Sequence, residues 1–538
     1  MSHLSKIFSK TPIDIPNRSG FDMSFENLLT MKVGTLTPIL CEEVLPNETY
    51  SLGYLGQVQL PPMATDFFGR VDMRLEAFFV PNRVIWGGWQ NYFTMPQNNP
   101  YGSPVVRPET LPSITHTITS ETLSYFQRVL GAGSLADYLG VSCLKDGIAV
   151  GNVVNIPNAL PFFAYHKIYD DWYRNPKIQK PVFVNSSSAP GASSLPWFSS
   201  ARSFYFSDTF ADGVYLTDLR QRNYAKDRFT TASLYPQADG TVGGSKLTFD
   251  TSGSEGSFTI AQLRQANVLQ RWLERNNIAG ERYADQIRAT FGVYPSDAIL
   301  DRSLYLGSSQ FAIYNKSVYN TANTDKESSS SQSPFGALLA SKGASSNGVG
   351  QDTLISKFHS TEHGYLFVLA SIVPHAQYST GMRPTFRRSR VGDFANPLLQ
   401  GLGEQAIYIS EFLGPFFGGT SSLTDTEFGY QQQYSEYKYH NDEVHGLLRD
   451  NESLQSFALQ RSFTKQVAPV LGTDFIQIKT EDMDNVTAVK SQLSNFGAWA
   501  DFYLSLKKVS PLSEYVIPTL GDVKNTHKES VPYRGTTL

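Results

Sequence analysis

The sequence HSTEH, from His359 to His363, matches the HxxEH motif of inverted zinc peptidases, in which the two histidines bind the metal ion and the glutamate acts as a general base. Two histidines four residues apart face the same direction only on a helix. Here the motif runs into Gly364 and the apolar stretch GYLFVLASIV, whose residue types favour a strand. We therefore interpret His359, Glu362 and His363 as polar residues at the start of a strand, with a metallo-hydrolase as an alternative.

Two groups of neighbouring carboxylates are further candidates for chemistry. Glu481, Asp482 and Asp484 lack additional oxygen ligands at fixed spacing, so we interpret them as a solvated turn rather than a cation site. Asp170 and Asp171 are adjacent in a helical pattern and diverge by about 100°, which argues against an acid–base pair. The sequence also has no nucleophile elbow, phosphate-binding loop or CxxC pair. We predict that the chain is not an enzyme and needs no cofactor or metal.

The segment RPTFRRSR carries the highest local positive charge, with Phe386 in its middle. Its four guanidinium groups belong to Arg383, Arg387, Arg388 and Arg390. Guanidiniums around an aromatic ring suit phosphate contact and base stacking, which predicts a nucleic-acid-binding site. The alternative is a cluster of ion pairs with Asp or Glu between subunits. A thinner basic patch near the N-terminus consists of Lys6, Lys10 and Arg18.

Alternating hydrophobic residues predict the strands that would position these groups. In VDMRLEAFFV, the apolar residues from Val71 to Phe79 alternate with Asp72, Arg74 and Glu76, so one sheet face should be buried and the other polar. Similar signals occur at residues 33–40, 364–373, 405–413, 474–478 and 501–507. The strands therefore concentrate near both ends of the chain.

Helical spacing and Ser/Gly-rich stretches occupy the middle of the chain. Aromatic residues within 160–174 recur at helical intervals, and a capping box at Thr259 and Gln262 starts an amphipathic helix carrying Trp272 on its apolar stripe. Its opposite stripe, which we interpret as a solvated or inter-subunit face, consists of Arg264, Arg271 and Arg275. A further helix is predicted at 281–291, with Tyr283, Ile287 and Phe291 one turn apart. Exposed loops are predicted at 185–194, 238–257, 321–333 and 341–350.

This distribution of elements predicts a mainly β fold, a Greek-key or jelly-roll sandwich in which early and late strands pair. Helices and loops would form long insertions, at about 90–310 and 320–352, within a single domain spanning 31–510. Prolines near both ends favour extended backbone, which predicts an N-terminal arm (1–30) and a C-terminal arm (511–538). Such arms often lie on a neighbouring subunit.

The composition agrees with a protein that faces other proteins. Of the 538 residues, 17% are charged and 13% are aromatic, and interface cores are poor in Lys and Glu and rich in aromatic residues. The net charge of −4 gives the whole chain no attraction to nucleic acid, so such contact needs a local patch. Two cysteines, Cys41 and Cys143, fit a reducing cytoplasm. We find no signal peptide, and the longest apolar run is half a membrane span, which predicts no membrane insertion.

Ten segments, in the same order along the chain, resemble the major capsid proteins of microviruses, particularly the gokushovirus branch. The early segments are RSGFDMS (18–24), EEVLPNETY (42–50) and FFVPNRVIWGGWQNYF (78–93). The middle segments are NALPFFAYHKIYDDWYRN (158–175), RNYAKDRFTTASLYPQ (222–237) and LQRWLERNNIAGERYADQIRATFGV (269–293). The late segments are STEHGYLFVLASI (360–372), GLGEQAIYI (401–409), FGYQQQYSEYKYHNDEVHG (428–446) and FYLSLKKVSPLSEYVIPTLGD (502–522).

The resemblance implies an eight-stranded antiparallel jelly roll with long loop insertions that contain several α-helices. It implies a structural protein of the virion that assembles with copies of itself, in the cytoplasm of a bacterial host, into a T=1 icosahedral shell around circular single-stranded DNA. The implied partners are a small basic DNA-binding protein, a DNA pilot protein and a receptor on the host surface. A separate basic partner agrees with the acidic net charge of this chain.

One interval departs from the gokushovirus pattern. Those proteins carry a long surface insertion, a threefold protrusion, between the segments that match ASLYPQ and FTIAQLRQ, and here only about twenty residues separate them. A large protrusion at this point is therefore not expected, and residues 185–200 or 321–350 are the alternative host-recognition loops. The second hypothesis for the whole chain is a β-sandwich adhesin or carbohydrate-binding protein.

Overall fold

The computed structural model describes most of the chain, in segments. The described residues are 14–16, 18–93, 111–141, 148–183, 203–204, 210, 212–236, 264, 267–272, 275, 282–293, 296–297, 300–319, 342–379, 381–414, 426–461, 463, 469–488, 497–514 and 526–528. The predicted loops 185–194, 238–257 and 321–333, and the shortened interval after ASLYPQ, lie outside them.

Strands make up most of the regular structure. They are β1 (Asp14–Pro16), β2 (Ser19–Asp22), β3 (Phe25–Met31), β4 (Thr37–Val44), β5 (Thr49–Gln59), β6 (Val71–Pro81), β7 (Ser113–Thr117), β8 (Val153–Ile156), β9 (Ser203–Phe204), β10 (Leu304–Ala312), β11 (Tyr314–Tyr319), β12 (Lys342–His359), β13 (Gly364–Pro374), β14 (Gln377–Tyr378), β15 (Glu404–Tyr408), β16 (Glu427–Gln432), β17 (Asp442–Glu443), β18 (Ala498–Ser510) and β19 (Thr526–Lys528).

Helices are short and lie between the strands. The α-helices are Asn82–Ile85, Trp89–Phe93, Leu123–Val129, Leu135–Tyr138, Leu160–Ile168, Tyr283–Phe291, Ser410–Leu413 and Thr473–Ile476, and a π-helical turn spans Tyr169–Tyr173. Single 3₁₀ turns are Pro384–Arg387, Val391–Asp393, Gln400–Leu402, Ser435–Tyr437, Gly446–Leu448, Gln455–Phe457 and Thr480–Met483. The predicted helices within 160–174 and 281–291 are confirmed. The helix predicted to start at Thr259 is described as helical at 267–272.

Two antiparallel sheets enclose the main hydrophobic core. The four-stranded sheet has the order β10-β6-β13-β4, and the six-stranded sheet has the order β11-β12-β5-β18-β2, with β3 also pairing with β18. The core takes Met73 and Leu366 from the first sheet and Tyr54, Val58 and Leu504 from the second. The fold is therefore mainly β, with antiparallel sheets in the manner of a β-sandwich.

The prediction that only one face of β6 is buried is wrong. Val71, Met73 and Leu75 pack into the main core, as the alternation predicted. The other face was expected to be polar and open, but Phe78 and Val80 pack into a second hydrophobic cluster together with residues of the helix Leu160–Ile168. Both faces are covered because the long connection between β6 and β10 folds back over this sheet. The polar residues of β6 consequently need buried partners.

Three predicted segments differ from the structure. Residues 474–478 were predicted as a strand but contain the helix Thr473–Ile476, and a helical turn lets the adjacent Phe475 and Ile476 enter the same hydrophobic cluster. The strand predicted at 405–413 ends at Tyr408 and is followed by the helix Ser410–Leu413. The strand predicted at 33–40 begins only at Thr37. The predictions for 364–373 and 501–507 are confirmed by β13 and β18.

A fourth segment that differs from its prediction is 341–350, which was predicted as an exposed loop. Residues from Lys342 onward belong to the 18-residue strand β12. A side chain at Gly350 would overlap the ring of Phe311, and one at Gly348 would press on the backbone of Ala312. The glycines therefore permit close packing of neighbouring backbone rather than marking a loop.

Both ends of the described chain join sheets. β2, and all of β3 except its last residue Met31, lie inside the predicted N-terminal arm (1–30) and pair along β18. Within the same chain, β1 pairs antiparallel with β19, so Ile15 lies opposite His527. Among the described residues, no helix is long and apolar enough to cross a membrane.

Candidate nucleic-acid and subunit contact surfaces

The HSTEH residues lie between two strands, as predicted, and not on a helix. His359 ends β12, with its Nδ1 atom 3.2 Å from the Thr49 hydroxyl. Glu362 accepts a 2.8 Å hydrogen bond from Arg83 Nε. The His363 ring packs 4.5 Å from the ring of Phe93. The three side chains therefore have three different neighbours, and within the described segments no group of three His, Cys, Asp or Glu side chains is placed to hold a metal ion.

Three of these carboxylates, those of Asp170, Asp171 and Asp482, have partners within the fold. Asp170 pairs with Arg174 at 2.6 Å and Asp171 with Lys167 at 3.0 Å, so the adjacent carboxylates diverge as predicted. The solvated-turn interpretation is wrong for Asp482. Its carboxylate accepts hydrogen bonds from the Tyr224 hydroxyl at 2.6 Å and from a backbone amide at 2.7 Å, and burial raises its pKa.

The arginine segment is held to its own chain. Arg383 Nε donates to the two carboxylate oxygens of Glu443 at 3.0 and 3.1 Å. Arg387 donates to the Ser410 hydroxyl at 2.8 Å, and its guanidinium lies 3.9 Å from the centre of the Tyr408 ring. These contacts fix the backbone of the segment against the β15 region.

The other two arginines of the segment differ in exposure. Arg388 is largely buried, 3.5 Å from Glu436 and over the ring of Tyr437. Arg390 is exposed, and its backbone amide donates to Asp393 at 2.8 Å. Ion pairs do form here, as in the alternative interpretation, but those described lie within the subunit rather than between subunits.

Apolar side chains cover the outward side of the same region. Val391 is 91% exposed and Leu398 is 89% exposed, with Phe386 and Phe394 also exposed. Neighbouring exposed apolar groups of this kind mark sites of contact with another molecule. The arginine prediction did not anticipate this surface, although the apolar residues are visible in the sequence.

A second exposed apolar surface lies on the helices of the middle region. Tyr283 is 69% exposed and Phe291 is 75% exposed, although helical spacing had placed both on one stripe. Val268, Trp272 and Val293 are exposed nearby in sequence. The predicted stripe is thus present but is not buried within the subunit.

The third exposed surface is the outer face of the six-stranded sheet. Trp499 and Tyr503 of β18 are 46% and 48% exposed, and Leu55 and Leu28 on the neighbouring strands are also exposed. The alternation at 501–507 predicted that Tyr503 faces away from Phe502, but no signal in the sequence marked this face as functional.

A groove of about 440 Å³ opens beside this face, between β2 and the end of β12. The charged side chains that line it are Asp22, Lys357, Lys507 and Lys508. Arg18, from the thinner basic patch, donates from Nη2 to Thr49 in the groove wall at 2.7 Å. Lys6 and Lys10 lie outside the described residues.

Cys41 is a free, half-buried thiol on β4. Burial, with Glu42 and Glu43 beside it, raises its pKa to about 12, so it stays protonated at neutral pH. A protonated thiol is a poor nucleophile, which leaves Cys41 a packing role. Cys143 is outside the described residues.

Comparison with known families shows the family to which the chain belongs. The model of the family described as capsid protein (F protein) matches residues 9–237 and 205–520. The chain belongs to this capsid protein family. The match covers both sheets, the helical middle region and the arginine segment.

Curated relatives of this capsid protein family span nearly the whole chain. The capsid protein VP1 of Bdellovibrio phage phiMH2K is 27% identical over 96% of this chain and 98% of its own length. The protein of the same name from Chlamydia phage 1 is 26% identical over 95% and 97%, respectively. That of Spiroplasma virus 4 is 23% identical over 94% and 95%. All three are microviruses, so the resemblance drawn from the ten segments is confirmed.

Proposed function

We propose that this chain is the major structural subunit of a small phage shell, with copies of itself enclosing circular single-stranded DNA in a T=1 icosahedral particle. The observation that carries the proposal is the capsid-family match across nearly the entire chain. This match supports a structural role, in which the subunit forms part of the shell. We propose that the protein is not an enzyme.

The fold that we propose for this role is the eight-stranded jelly roll. It would consist of β3, β4, β5, β6, β10, β12, β13 and β18. Support comes from the strand orders β3-β18-β5-β12 and β4-β13-β6-β10, in which the first strand pairs with the last. The connection from β6 to β10 would be the main helical insertion of the domain 31–510.

Self-assembly is supported by two apolar surfaces of the isolated subunit. They lie on the arginine segment and on the helix Tyr283–Phe291. Closed shells need several different patches that meet different patches on neighbours. Each contact can be weak, because many contacts within one particle act together.

The predicted arms are proposed as joints between subunits. Because residues 19–30 of the predicted N-terminal arm pair along β18, residues 1–18 and 511–538 would extend from the sandwich, although β1 and β19 pair within one chain in the isolated subunit. The same pairing between neighbouring chains would link them. Deletion of 511–538 should leave a folded subunit by circular dichroism but no particles in electron micrographs, and normal particles would contradict the proposed joint.

For the arginine segment we propose DNA contact through Arg383, Arg387, Arg388 and Arg390, with the exposed Arg390 reaching furthest. The ion pairs of Arg383 and Arg388 reduce the charge available, so the contact would add to other contacts rather than dominate. Arg390→Gln should lower the DNA content of particles, and Arg390→Lys should restore it. Particles of the unmodified protein and of both variants that share the same ratio of absorbance at 260 nm to absorbance at 280 nm would contradict this contact.

The remaining partners follow from the same proposal. A net charge of −4 leaves the genome to be neutralised by a separate basic protein, and a DNA pilot protein and a host receptor would complete the virion. Assembly would take place in the host cytoplasm. Mass spectrometry of purified particles tests the first two partners, and their absence from infectious particles would contradict them.

The experiment for the central proposal is negative-stain microscopy of the full-length protein at rising concentration. Closed particles of uniform diameter are expected. A β-sandwich adhesin or carbohydrate-binding protein is the second candidate, favoured by the exposed Trp499 and Tyr503. It predicts monomers or small oligomers at every concentration in light scattering.

A further inference from the structure

The outer face of the six-stranded sheet combines features that the subunit contacts alone do not explain. Along β18, Ala500, Phe502 and Leu504 point into the main core. The alternate residues Trp499, Asp501, Tyr503, Ser505 and Lys507 therefore share the outer face. Trp499, Tyr503 and Lys507 are four residues apart, which is about 13 Å along a strand.

The strand register surrounds the two aromatic rings with groups that can hydrogen bond. Trp499 lies between Gln59 on β5 and Thr30 on β3. Asp501 lies between Gln57 and Leu28 in the same way. Tyr503 lies between Leu55 and Glu26. These three rows therefore combine the two rings with amides, carboxylates and the exposed Leu28 and Leu55, and they contain no cation.

Positive charge is concentrated at one end of this surface. Lys507 is opposite Ser51 on β5 and Asp22 on β2, and it lines the groove together with Lys357 and Lys508. Arg18 contacts Thr49 at the same groove. Lys508 is balanced by the buried Glu48 at 3.7 Å and Lys507 faces Asp22, so Lys357 and Arg18 supply the excess of positive charge.

We propose that this face binds single-stranded DNA, with bases stacked on Trp499 and Tyr503 and a phosphate group held in the groove. The proposal deepens the function proposed above and rests on it for the presence of the DNA. We call this surface, defined by Trp499, Asp501, Tyr503 and the groove, the stacking face.

The distribution of charge favours single-stranded DNA over a second copy of the subunit. Proteins that hold single strands without sequence preference combine aromatic platforms for the bases with a basic groove for the backbone. Asp501 between the rings repels phosphate but can accept a hydrogen bond from the amino group of a base, as carboxylates do with cytosine. A protein contact would be expected to bury fewer charged groups at its centre.

The test uses the full-length chain and a fluorescent oligodeoxycytidine of twenty nucleotides, measured by anisotropy. The double variant Trp499→Ala/Tyr503→Ala should bind at least about 25-fold more weakly, because each stacked base contributes roughly 1–3 kcal/mol. Trp499→Phe/Tyr503→Phe keeps both rings and should bind nearly as well as the unmodified chain. Tyr235→Ala/Tyr439→Ala removes two exposed rings elsewhere and should have no effect.

The groove is tested by the salt dependence of the same binding. Lys357→Gln should reduce the slope of log K against log salt by about 0.7, the value for one phosphate contact on a single strand. Lys479→Gln, which removes an exposed lysine far from the groove in sequence, should leave the slope unchanged.

Two results would overturn the stacking face. Unchanged DNA affinity in the Trp499→Ala/Tyr503→Ala variant, with weaker self-association in sedimentation, would assign the face to contact between copies. Unchanged affinity and unchanged sedimentation would leave it without a binding role. Failure of the unmodified chain to form shells in the microscope would contradict the proposed function instead, and the oligonucleotide measurement would still decide this face.

Discussion

At the scale of single residues, buried charged groups join the helical insertion to the sandwich. Arg222 Nη1 and Nη2 donate to the Glu76 carboxylate of β6 at 2.6 and 2.9 Å, and the Tyr173 hydroxyl donates to the same group. Burial alone would raise the pKa of Glu76, but the hydrogen bonds and charge of Arg222 outweigh it and lower the pKa. Glu76, on the polar face of β6, thus links the sheet that packs on the main core to the insertion that contains the second hydrophobic cluster.

Removal of one charge of the Glu76–Arg222 ion pair should strongly destabilise the fold. Glu76→Gln leaves the Arg222 guanidinium buried without its counter-charge, and the free energy of unfolding in urea should fall by about 3–5 kcal/mol. The double variant Glu76→Leu/Arg222→Met removes both charges and should recover most of that loss. A loss below 1 kcal/mol for Glu76→Gln would show that the pair does not hold the insertion in place.

His166 makes the stability of the subunit depend on pH. Its ring is fully buried, accepting from Arg220 Nε at 2.8 Å on one nitrogen and contacting the Leu216 carbonyl at 2.8 Å with the other. Burial, followed by the adjacent Arg220 charge, lowers the pKa of His166 well below its ordinary value. The folded state therefore holds a neutral imidazole.

This lowered pKa predicts a loss of stability in mild acid. The unfolded chain takes up a proton below about pH 6.5 and the folded chain does not, so the free energy of unfolding should fall by roughly 1 kcal/mol per pH unit below that value. Above pH 6.5 this contribution is complete. His166→Gln should show a shallower pH dependence in urea unfolding, whereas His440→Gln, at an exposed position, should keep the original one. Identical profiles for all three proteins would exclude His166 as the cause.

At the scale of elements, the sequence predicted strands correctly where the pattern of hydrophobic residues alone determined them. The apolar run of β13 is buried over its whole length, and β18 alternates between buried and outward residues as its sequence does. The arginine segment was located by its charge, but its contacts with Glu443, Glu436 and Tyr408 join residues distant in sequence. No local pattern encodes such pairings.

Prediction failed where tertiary packing outweighed the local pattern. Gly348 and Gly350 suggest a loop by residue type, yet neighbouring backbone and Phe311 require their small size within β12. The stacking face was missed for a related reason. Trp499 and Tyr503 acquire their setting from Gln59, Gln57 and Leu55 on another strand, which only the register brings beside them.

The helix Tyr283–Phe291 carries a prediction about assembly. Because both end residues are exposed, Tyr283→Asp/Phe291→Asp should change the free energy of unfolding by less than about 0.5 kcal/mol. The concentration needed for particle formation should rise at least tenfold, since burial of even one such side chain contributes roughly 1.5–3 kcal/mol.

The control for this helix is Ser120→Asp, which adds a negative charge at an exposed turn. It should assemble at the same concentration as the unmodified protein in light scattering. Equal assembly of the helix variant and the control would remove this helix from the contacts between subunits.

At the scale of the whole molecule, the described part of the subunit has one sheet face that its own chain covers and other surfaces that expose apolar side chains. The insertion covers the outer side of the four-stranded sheet, whereas the middle helices and the arginine segment present apolar groups outward. Surfaces that differ from one another cannot all be buried in a symmetric dimer. Contacts between different surfaces can instead close into rings or shells. The capsid-family match supports a structural role from sequence similarity.

The most direct test of this account is the mass of the assembly formed by the full-length 59.8 kDa chain. Charge-detection mass spectrometry should find one dominant species of about 60 copies, or roughly 3.6 MDa of protein, because a T=1 shell closes at that number. A sample that contains only monomers and small oligomers, at the highest concentration at which the protein stays soluble, would contradict it.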